Sequence, residues 1–413
     1  KGFVEDANGS VLFRTGYLNR DKKDGLTNDT SSAAQTAIVN LDSGFTKGVI
    51  GFGAGIIGDA SFKLGKNGHT GNQMIPTHSD NADGTKDAYD HWARGGAYVK
   101  ARVSNTTAKY GTQVSEIPVI ASNTARLTPE YYTGLYIESN EIKDLTLIGG
   151  KFTKNQWSND ISSDQKGLDS AIFWGAKYKF NDQVNTSYYG VEVKDKLDRH
   201  YGNINYTHGL KNDAALILDF TGYHTDWETE AATDSHTTED LSNRQNSIWG
   251  ISATYNKDVH NVMLAYQDNA GNTGYDYAYN QDGLQSIYVP NSYLADFNGN
   301  DEKSIGLQYS YNFKNHGLPG LNWTTAFVYG WDIDIADTAN RANIIDQAEE
   351  HEFFNQVKYT VQSGAFKDAS LRLRHSYLRA SDTYNNAKEN YVSNAIGSTN
   401  EWRIWLDIPV KLF

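Results

Sequence analysis

The sequence predicts an all-β fold, a transmembrane antiparallel β-barrel of about eighteen strands. Three observations carry that expectation. Runs in which apolar and polar side chains alternate with a period of two occur from end to end of the 413 residues, and that is the periodicity of strands. The connections between the runs alternate between short and long, as in a barrel with tight turns on one rim and extended loops on the other. No stretch of about 18 apolar residues exists to form a spanning helix, and no helical segment stands out. A sheet this long exposes its edges unless it closes, and closure inside an apolar outer band calls for lipid.

Taken in order, the strand-like runs are 10–20, 35–41, 46–57, 93–105, 107–110, 131–138, 144–154, 170–180, 184–192, 200–208, 213–224, 246–256, 260–268, 302–313, 322–334, 350–361, 369–379 and 400–412. In the first, Val11, Phe13, Thr15 and Tyr17 oppose Arg14 and Arg20. Run 93–105 sets Val99, Ala101 and Val103 against Tyr98, Lys100, Arg102 and Ser104. Run 350–361 sets Phe353, Val357, Tyr359 and Val361 against Glu352, Gln356, Lys358 and Thr360. In "ASLRLRHSYLR" a strand puts Arg372 and Arg374 on one face and Leu371 and Leu373 on the other. The last run sets Trp402, Ile404, Leu406, Ile408, Val410 and Leu412 against Arg403, Asp407 and Lys411. Short connections are "DSG" (42–44), "SNEIK" (139–143), "NDQ" (181–183), "GLKN" (209–212) and "KDV" (257–259). Between them lie the long polar stretches 58–92, 111–130, 225–245, 269–301 and 380–399. Tyr17, Trp92, Trp157, Trp174, Trp323, Trp331 and Trp402, near run ends, fit interfacial girdles.

Composition narrows the function classes. The 37 Gly, 27 Tyr and 2 Met suit strands and turns. The absence of cysteine excludes disulfides, thiolate metal sites and thiol nucleophiles. With only 6 Pro and no linker or internal repeat, residues 1–413 are expected to form one barrel domain. A net charge of −13 argues against a nucleic-acid partner, which needs a basic face. The opening "KGFVED" carries no signal-like stretch, as expected of either a cytosolic chain or a mature exported one.

Several stretches are distinctive: "LDSGFTKGVIGFGAG", "KARVSNTTAKYG", "IPVIASNTARLTPEYYTG", "SNEIKDLTLIGGKFTKN", "YTVQSGAFKDASLRLRHS" and "EWRIWLDIPVKLF". Together they resemble the OprD family, substrate-specific outer-membrane carboxylate channels of Gram-negative bacteria. That resemblance implies an eighteen-stranded barrel, monomeric or weakly associated, embedded in outer-membrane lipid and lipopolysaccharide and narrowed by inward-folded constriction loops. It also implies passive uptake of small carboxylate-bearing solutes along a basic ladder facing acidic or hydroxyl groups. Arg372, Arg374 and Lys358 match the ladder, and Arg403 resembles a further rung. "SEIPVIASNTARLTPE" resembles the inward-folded third loop and brings Arg126 to the constriction. "VPNSYLADFNGNDEKS" resembles the seventh loop, where Ser292, Tyr293 and Asp296 match the opposing wall. Facing and charge alone add Arg14, Arg20, Lys100 and Arg102. For each cation the bland alternative is a lumen side chain paired with a carboxylate that stiffens the wall.

Other motifs carry less. Gly53-x-Gly55-x-x-Gly58 matches a dinucleotide fingerprint, but no amphipathic helix follows it, so the glycines are expected to allow close packing in a wall. "DNADGTKD" (80–87) has the flavour of a calcium loop, with His91 where a bidentate Glu belongs. The 11 His form no H-E-x-x-H motif, so no metal and no cofactor is expected. A barrel enzyme needs a nucleophile or an acid pair at its rim, and none stands out. An adhesive barrel has no use for a one-sided ladder. The nearest competing function is a less selective diffusion porin.

Overall fold

A strand buried in hydrocarbon must satisfy all of its backbone hydrogen bonds with neighbours, so a sheet that spans a membrane has no free edge. The computed structural model describes residues 2–413 except 24–27, 66–71, 81, 83–85, 165–166, 229–243, 272, 279–285, 337–343 and 388–395. Its strands are β1 (Asn8–Lys22), β2 (Thr30–Asp42), β3 (Ile50–Leu64), β4 (Thr77–Asp80), β5 (Lys86–Ala88), β6 (His91–Val103), β7 (Thr106–Gln113), β8 (Tyr131–Ser139), β9 (Leu145–Gln156), β10 (Ala171–Lys179), β11 (Val184–Val193), β12 (Leu197–Gly209), β13 (Ala215–Trp227), β14 (Gln245–Lys257), β15 (His260–Gly271), β16 (Lys303–Asn312), β17 (Leu321–Ala336), β18 (Ile344–Thr360), β19 (Ser370–Ala380) and β20 (Thr399–Lys411). All but the β4–β5 hairpin join one 18-stranded antiparallel sheet, and β1 pairs with both β2 and β20. The sheet is therefore closed. Among the described residues no helix is long and apolar enough to cross a membrane.

Side-chain parity divides the wall as the sequence pattern requires. Leu371 and Leu373 are 41% and 39% exposed on the outside, whereas Arg374, the next residue, is 5% exposed on the inside. Phe52, Ile56, Val99, Ile172, Ile204, Leu218, Ile251, Leu264, Leu307, Phe327, Phe353 and Leu406 continue the outer apolar band. Each predicted strand corresponds to one barrel strand, with ends differing by a few residues. The largest difference is in run 46–57. Residues 46–49 belong to a turn, and β3 continues to Leu64, so the first part of the long stretch 58–92 is wall.

Three further expectations are corrected. Trp92 is not in a girdle: it shares the inward parity of Arg94 and Tyr98 and packs inside with Leu18, Met74, Ile75, Leu127 and Trp405. Trp157 lies beyond the end of β9, in the loop that follows it. Trp174 and Trp402 do face outward, and Trp331 stacks on Tyr329 at 5.7 Å. Helical turns also exist. Phe313–His316 form a 3-10 turn, begun by the Asn312 side chain accepting the Lys314 N–H and ended by Gly317 at φ 71°; Asp382–Ala387 form a short helix.

The glycines of the false dinucleotide motif have a packing role. A Cβ on Gly55 would lie 2.1 Å from the Tyr98 phenol, and one on Gly53 would lie 2.6 Å from Cε of Lys100. Both glycines therefore leave room on the lumen face of β3 for side chains reaching over from β6.

Toward the rim of long loops, inward-folded loops pack against the inner face of the wall. One apolar cluster joins Ile117, Val119 and Ile120 to Phe152, Phe173, Tyr201, Tyr223 and Tyr275. Another joins Tyr293, Leu294 and Phe297 to Val328, Phe354 and Leu378. Outside, the barrel is coated with apolar side chains; inside, at this level, it has small cores of its own. Ile251, 50% exposed near the middle of β14, tests the lipid-facing assignment. Ile251→Lys is expected to destabilise the protein folded in phospholipid vesicles by about 2–4 kcal/mol, read from urea titrations, with Ile251→Leu close to the parent.

Candidate functional site

Cations line one sector of the lumen because three adjacent strands present them at matching registers. Lys358 on β18 stands opposite Arg372 on β19, and Arg374 stands opposite Arg403 on β20. On the far side of β20, Asp407 is opposite Arg14 and Glu401 is opposite Arg20. These pairs close. Arg14 grips Asp407 with two nitrogens at 2.8 and 3.2 Å. Glu401 accepts from Arg20 at 2.7 Å and also from Arg403. The Nε of Arg372 and the Nε and Nη2 of Arg374 are buried and have no hydrogen-bond partner among the described residues. Lys358 forms no ion pair among the described residues. The sector thus holds two kinds of cation: Arg14, Arg20 and Arg403 form ion pairs with wall carboxylates, and Lys358, Arg372 and Arg374 form none among the described residues.

The third connection on the long-loop rim, residues 114–130, crosses the lumen. Near its start the Pro118 carbonyl accepts the Tyr223 hydroxyl of β13 at 2.9 Å. Near its end the Arg126 and Leu127 carbonyls accept from Arg14 at 3.3 and 3.2 Å, and the Ala125 carbonyl accepts from Arg403 at 3.3 Å. Two predicted rungs therefore also hold this loop. Arg126 itself is buried, and its Nε donates to the Asn72 carbonyl at 2.8 Å. The loop's end is fixed by Arg94, whose side chain and that of its partner Asp59 are fully buried at 3.0 Å. The same guanidinium donates to Thr128 Oγ1 at 2.8 Å and to the carbonyls of Pro129, Trp157 and Asp160 at 3.0, 2.9 and 3.0 Å. Tyr131 completes the cluster, donating to Asp59 at 2.7 Å.

The seventh connection, residues 272–302, is fastened along β12 to β18. At its front Arg199 lies over the Tyr275 ring at 4.3 Å and donates to the Asp276 carbonyl, while Arg244 lies over Trp227 at 4.9 Å and donates to Thr273 at 2.7 Å. Burial raises the Asp276 carboxyl above its ordinary range, against the pull of nearby Lys196, Arg199 and Arg244. At its rear both oxygens of Glu352 accept backbone N–H groups, from Ala295 at 2.9 Å and Leu294 at 3.0 Å. Ser292 and Tyr277 donate to Asp296, so that carboxylate is enclosed within the loop. Tyr293 donates to Gln308 at 2.7 Å. Phe354 links Tyr293 to the basic sector, with its ring 4.9 Å from the tyrosine ring and 5.1 Å from the Arg374 guanidinium. Burial, helped by Glu352 and opposed by Arg374, raises the Tyr293 phenol far above its usual range and keeps it a donor.

Arg374 and Arg403 accordingly sit between the two loops. Lys100 and Arg102 do not join them. They lie on β6, five strand steps from β19, about 24 Å around the wall. Lys100 donates to both oxygens of Asp42 at 2.9 and 3.0 Å, and it flanks the Phe45 ring together with Arg102 at 4.5 and 4.3 Å. Of the suspected calcium loop, Asn81 and residues 83–85 fall outside the described residues; no group of metal-ligating side chains occurs among those described. Sequence reading passed over Arg94, Asp59, Arg199, Arg244 and Tyr223. Arg94 had the parity of Lys100 and Arg102 and was legible on that ground. The others became visible only when the loops were seen to fold inward.

Comparison with known proteins agrees with this geometry. The sequence model of a family described as outer membrane porin, OprD family, matches residues 1–412. Porin D of Pseudomonas aeruginosa is 33% identical over 435 residues, spanning 100% of this chain and 92% of that protein. The crystal structure of OccAB1 of Acinetobacter baumannii is similar with a TM-score of 0.91 at 58% identity, covering 100% of this chain and 98% of that one. That of OprD of Pseudomonas aeruginosa is similar with a TM-score of 0.80 at 31% identity, covering 100% and 97%.

The Arg94–Asp59 pair makes a sharp test of how the third loop is held. Removing one member of a fully buried pair strands the other charge, at a cost of about 3–5 kcal/mol. Arg94→Met is expected to show that loss in urea unfolding, and Arg94→Met combined with Asp59→Leu is expected to recover a large part of it.

Proposed function

The chain belongs to the OprD family of outer-membrane porins, and from that premise we propose that it admits small carboxylate-bearing nutrients, amino acids or organic acids, along the Lys358–Arg372–Arg374–Arg403 sector. As a member of the family it is a transport channel of the Gram-negative outer membrane and not an enzyme. The finer reading rests on one observation: in the inward-facing Arg372 and Arg374, the Nε of the first and the Nε and Nη2 of the second have no hydrogen-bond acceptor among the described residues. A carboxylate that sheds water in a narrow passage needs those hydrogen bonds replaced, and an arginine replaces them two at a time in a fixed fork. Successive similar sites let the anion step onward instead of resting in one deep well. Arg14 and Arg20, already held by carboxylates, serve here as wall and loop supports that add positive potential. Tyr293 brings the seventh loop to this track through Phe354, and the loop segment containing Ser292 and Asp296 forms the facing wall. Lys100, Arg102 and Arg126 contribute at the margins. Each chain encloses its own lumen in outer-membrane lipid and lipopolysaccharide, so a monomer or a loose assembly of copies would work equally well.

The competing reading is a diffusion porin that sorts solutes by size. Replacing Arg372 and Arg374 together by Ala is expected to reduce carboxylate permeation relative to a neutral solute of similar size roughly tenfold, the scale of one or two charge-assisted hydrogen bonds. Liposome swelling with a panel of amino acids, organic acids and sugars measures this. An unchanged ratio would leave size sieving as the function.

A further inference from the structure

The third and seventh loops meet on the wall away from the basic sector, and one side chain holds both. The hydroxyl of Tyr223 donates to the Pro118 carbonyl of the third loop at 2.9 Å and accepts the Tyr288 N–H of the seventh at 3.0 Å. Two residues earlier on the same inward face of β13, Thr221 donates to the Tyr288 carbonyl at 2.9 Å. The Tyr288 backbone is thus clamped at both its polar groups by side chains of one strand. The contact is returned, because the Tyr288 hydroxyl donates to the Glu116 carbonyl of the third loop at 3.1 Å. The Tyr223 ring also packs against Tyr201 at 4.9 Å and against Tyr275, at the front of the seventh loop, at 5.4 Å.

We propose that Tyr223 is a positioning residue for selectivity: its single hydroxyl locks the two constriction loops into one unit and so fixes the width of the passage they leave. It touches no solute in this scheme. The physical argument is that each loop taken alone is long and costs conformational entropy to hold still, whereas a buried hydroxyl used as donor to one loop and acceptor from the other ties their motions together. Leaving the Pro118 carbonyl and the Tyr288 N–H without their partner weakens both attachments at once. The proposal concerns the rigidity of the constriction and holds whichever solute class the channel prefers.

Tyr223→Phe keeps the ring and its packing and removes only the hydroxyl. Single-channel recording of the purified protein in planar bilayers is expected to show a higher mean conductance and flickering to a wider level, whose occupancy rises roughly tenfold. The anion-to-cation permeability ratio from reversal potentials should move toward unity while the unfolding midpoint in urea stays near the parent's. Thr221→Val, which removes the other half of the clamp, is expected to act in the same direction more weakly. Adding Tyr288→Phe to Tyr223→Phe should produce less than the sum of the two, since both act on the same loop junction. Parent-like conductance, noise and permeability ratio in both Tyr223→Phe and Thr221→Val would overturn the proposal, as would changes that appear only in step with a loss of folded protein. The readout is separable from the carboxylate reading, because substitutions at Arg372 and Arg374 alter which solutes pass without adding a wider level.

Discussion

Closure of the sheet is the constraint on which the rest of this structure depends. Because β1 bonds to β2 on one side and β20 on the other, the sheet offers no unpaired edge to hydrocarbon, and away from the register shifts in β8–β9 and β17–β18 parity assigns each wall residue to the outer or the inner face. A slip of one residue between β19 and β20 would reverse the assignment, putting Arg372 and Arg374 into acyl chains and Leu371 and Leu373 into the lumen. The opposed residue types on the two faces hold the register. Cross-strand ion pairs such as Arg14–Asp407 sharpen it, since their partners meet at only one alignment.

A closed sheet of eighteen strands encloses more space than inward side chains can fill, and this sets the second level of organisation. Loops enter from one rim and are held by polar side chains that the strands aim inward. Burying charge in such a place is unfavourable unless the charge is paired and its hydrogen bonds are met. Arg94 meets that demand with Asp59, Thr128 and a set of carbonyls. Arg199 answers it in part with the Tyr275 ring, Thr225 and the Asp276 carbonyl, Arg244 in part with the Trp227 ring and Thr273 while its Nε stays without an acceptor among the described residues, and Glu352 meets it with two backbone N–H groups. Such residues read as pore chemistry in a linear sequence, yet their hydrogen bonds are spent on loop attachment. The useful distinction among lumen cations is therefore their partners.

That distinction explains what the sequence could and could not disclose. Strand existence and facing were legible throughout, because period-two alternation is a local property and lipid makes one face strictly apolar. Arg372 and Arg374 were assigned to the lumen from eleven letters. Their pairing state was not legible. Asp407 lies 393 positions from Arg14, and only the closed register shows that these two form an ion pair, while among the described residues Arg372 forms none. The same limit hid Tyr223, one of 27 tyrosines, whose role depends on two loops arriving at it from opposite directions in the chain. Trp92 was misjudged for a related reason. A tryptophan near a strand end suits the membrane interface, but here the rim inside the barrel is equally apolar because loops pack there.

The chain's overall charge and its pore chemistry also point in opposite directions, and the structure accounts for the difference by location. The molecule is acidic, at −13, yet the β18–β20 sector with adjoining β1 brings Lys358, Arg372, Arg374, Arg403, Arg14 and Arg20 together with Asp407 and Glu401 as their direct acidic partners. In the function proposed above, a solute in the passage responds to that local excess, which is screened less than charge in bulk water. Acidic residues elsewhere, such as Asp90, Asp169, Asp182 and Asp258, sit exposed with lysine partners of their own. Bulk water and salt screen them. Net charge thus describes how the particle meets the surrounding medium, whereas the proposed selectivity rests on the local balance of charge in the β18–β20 sector.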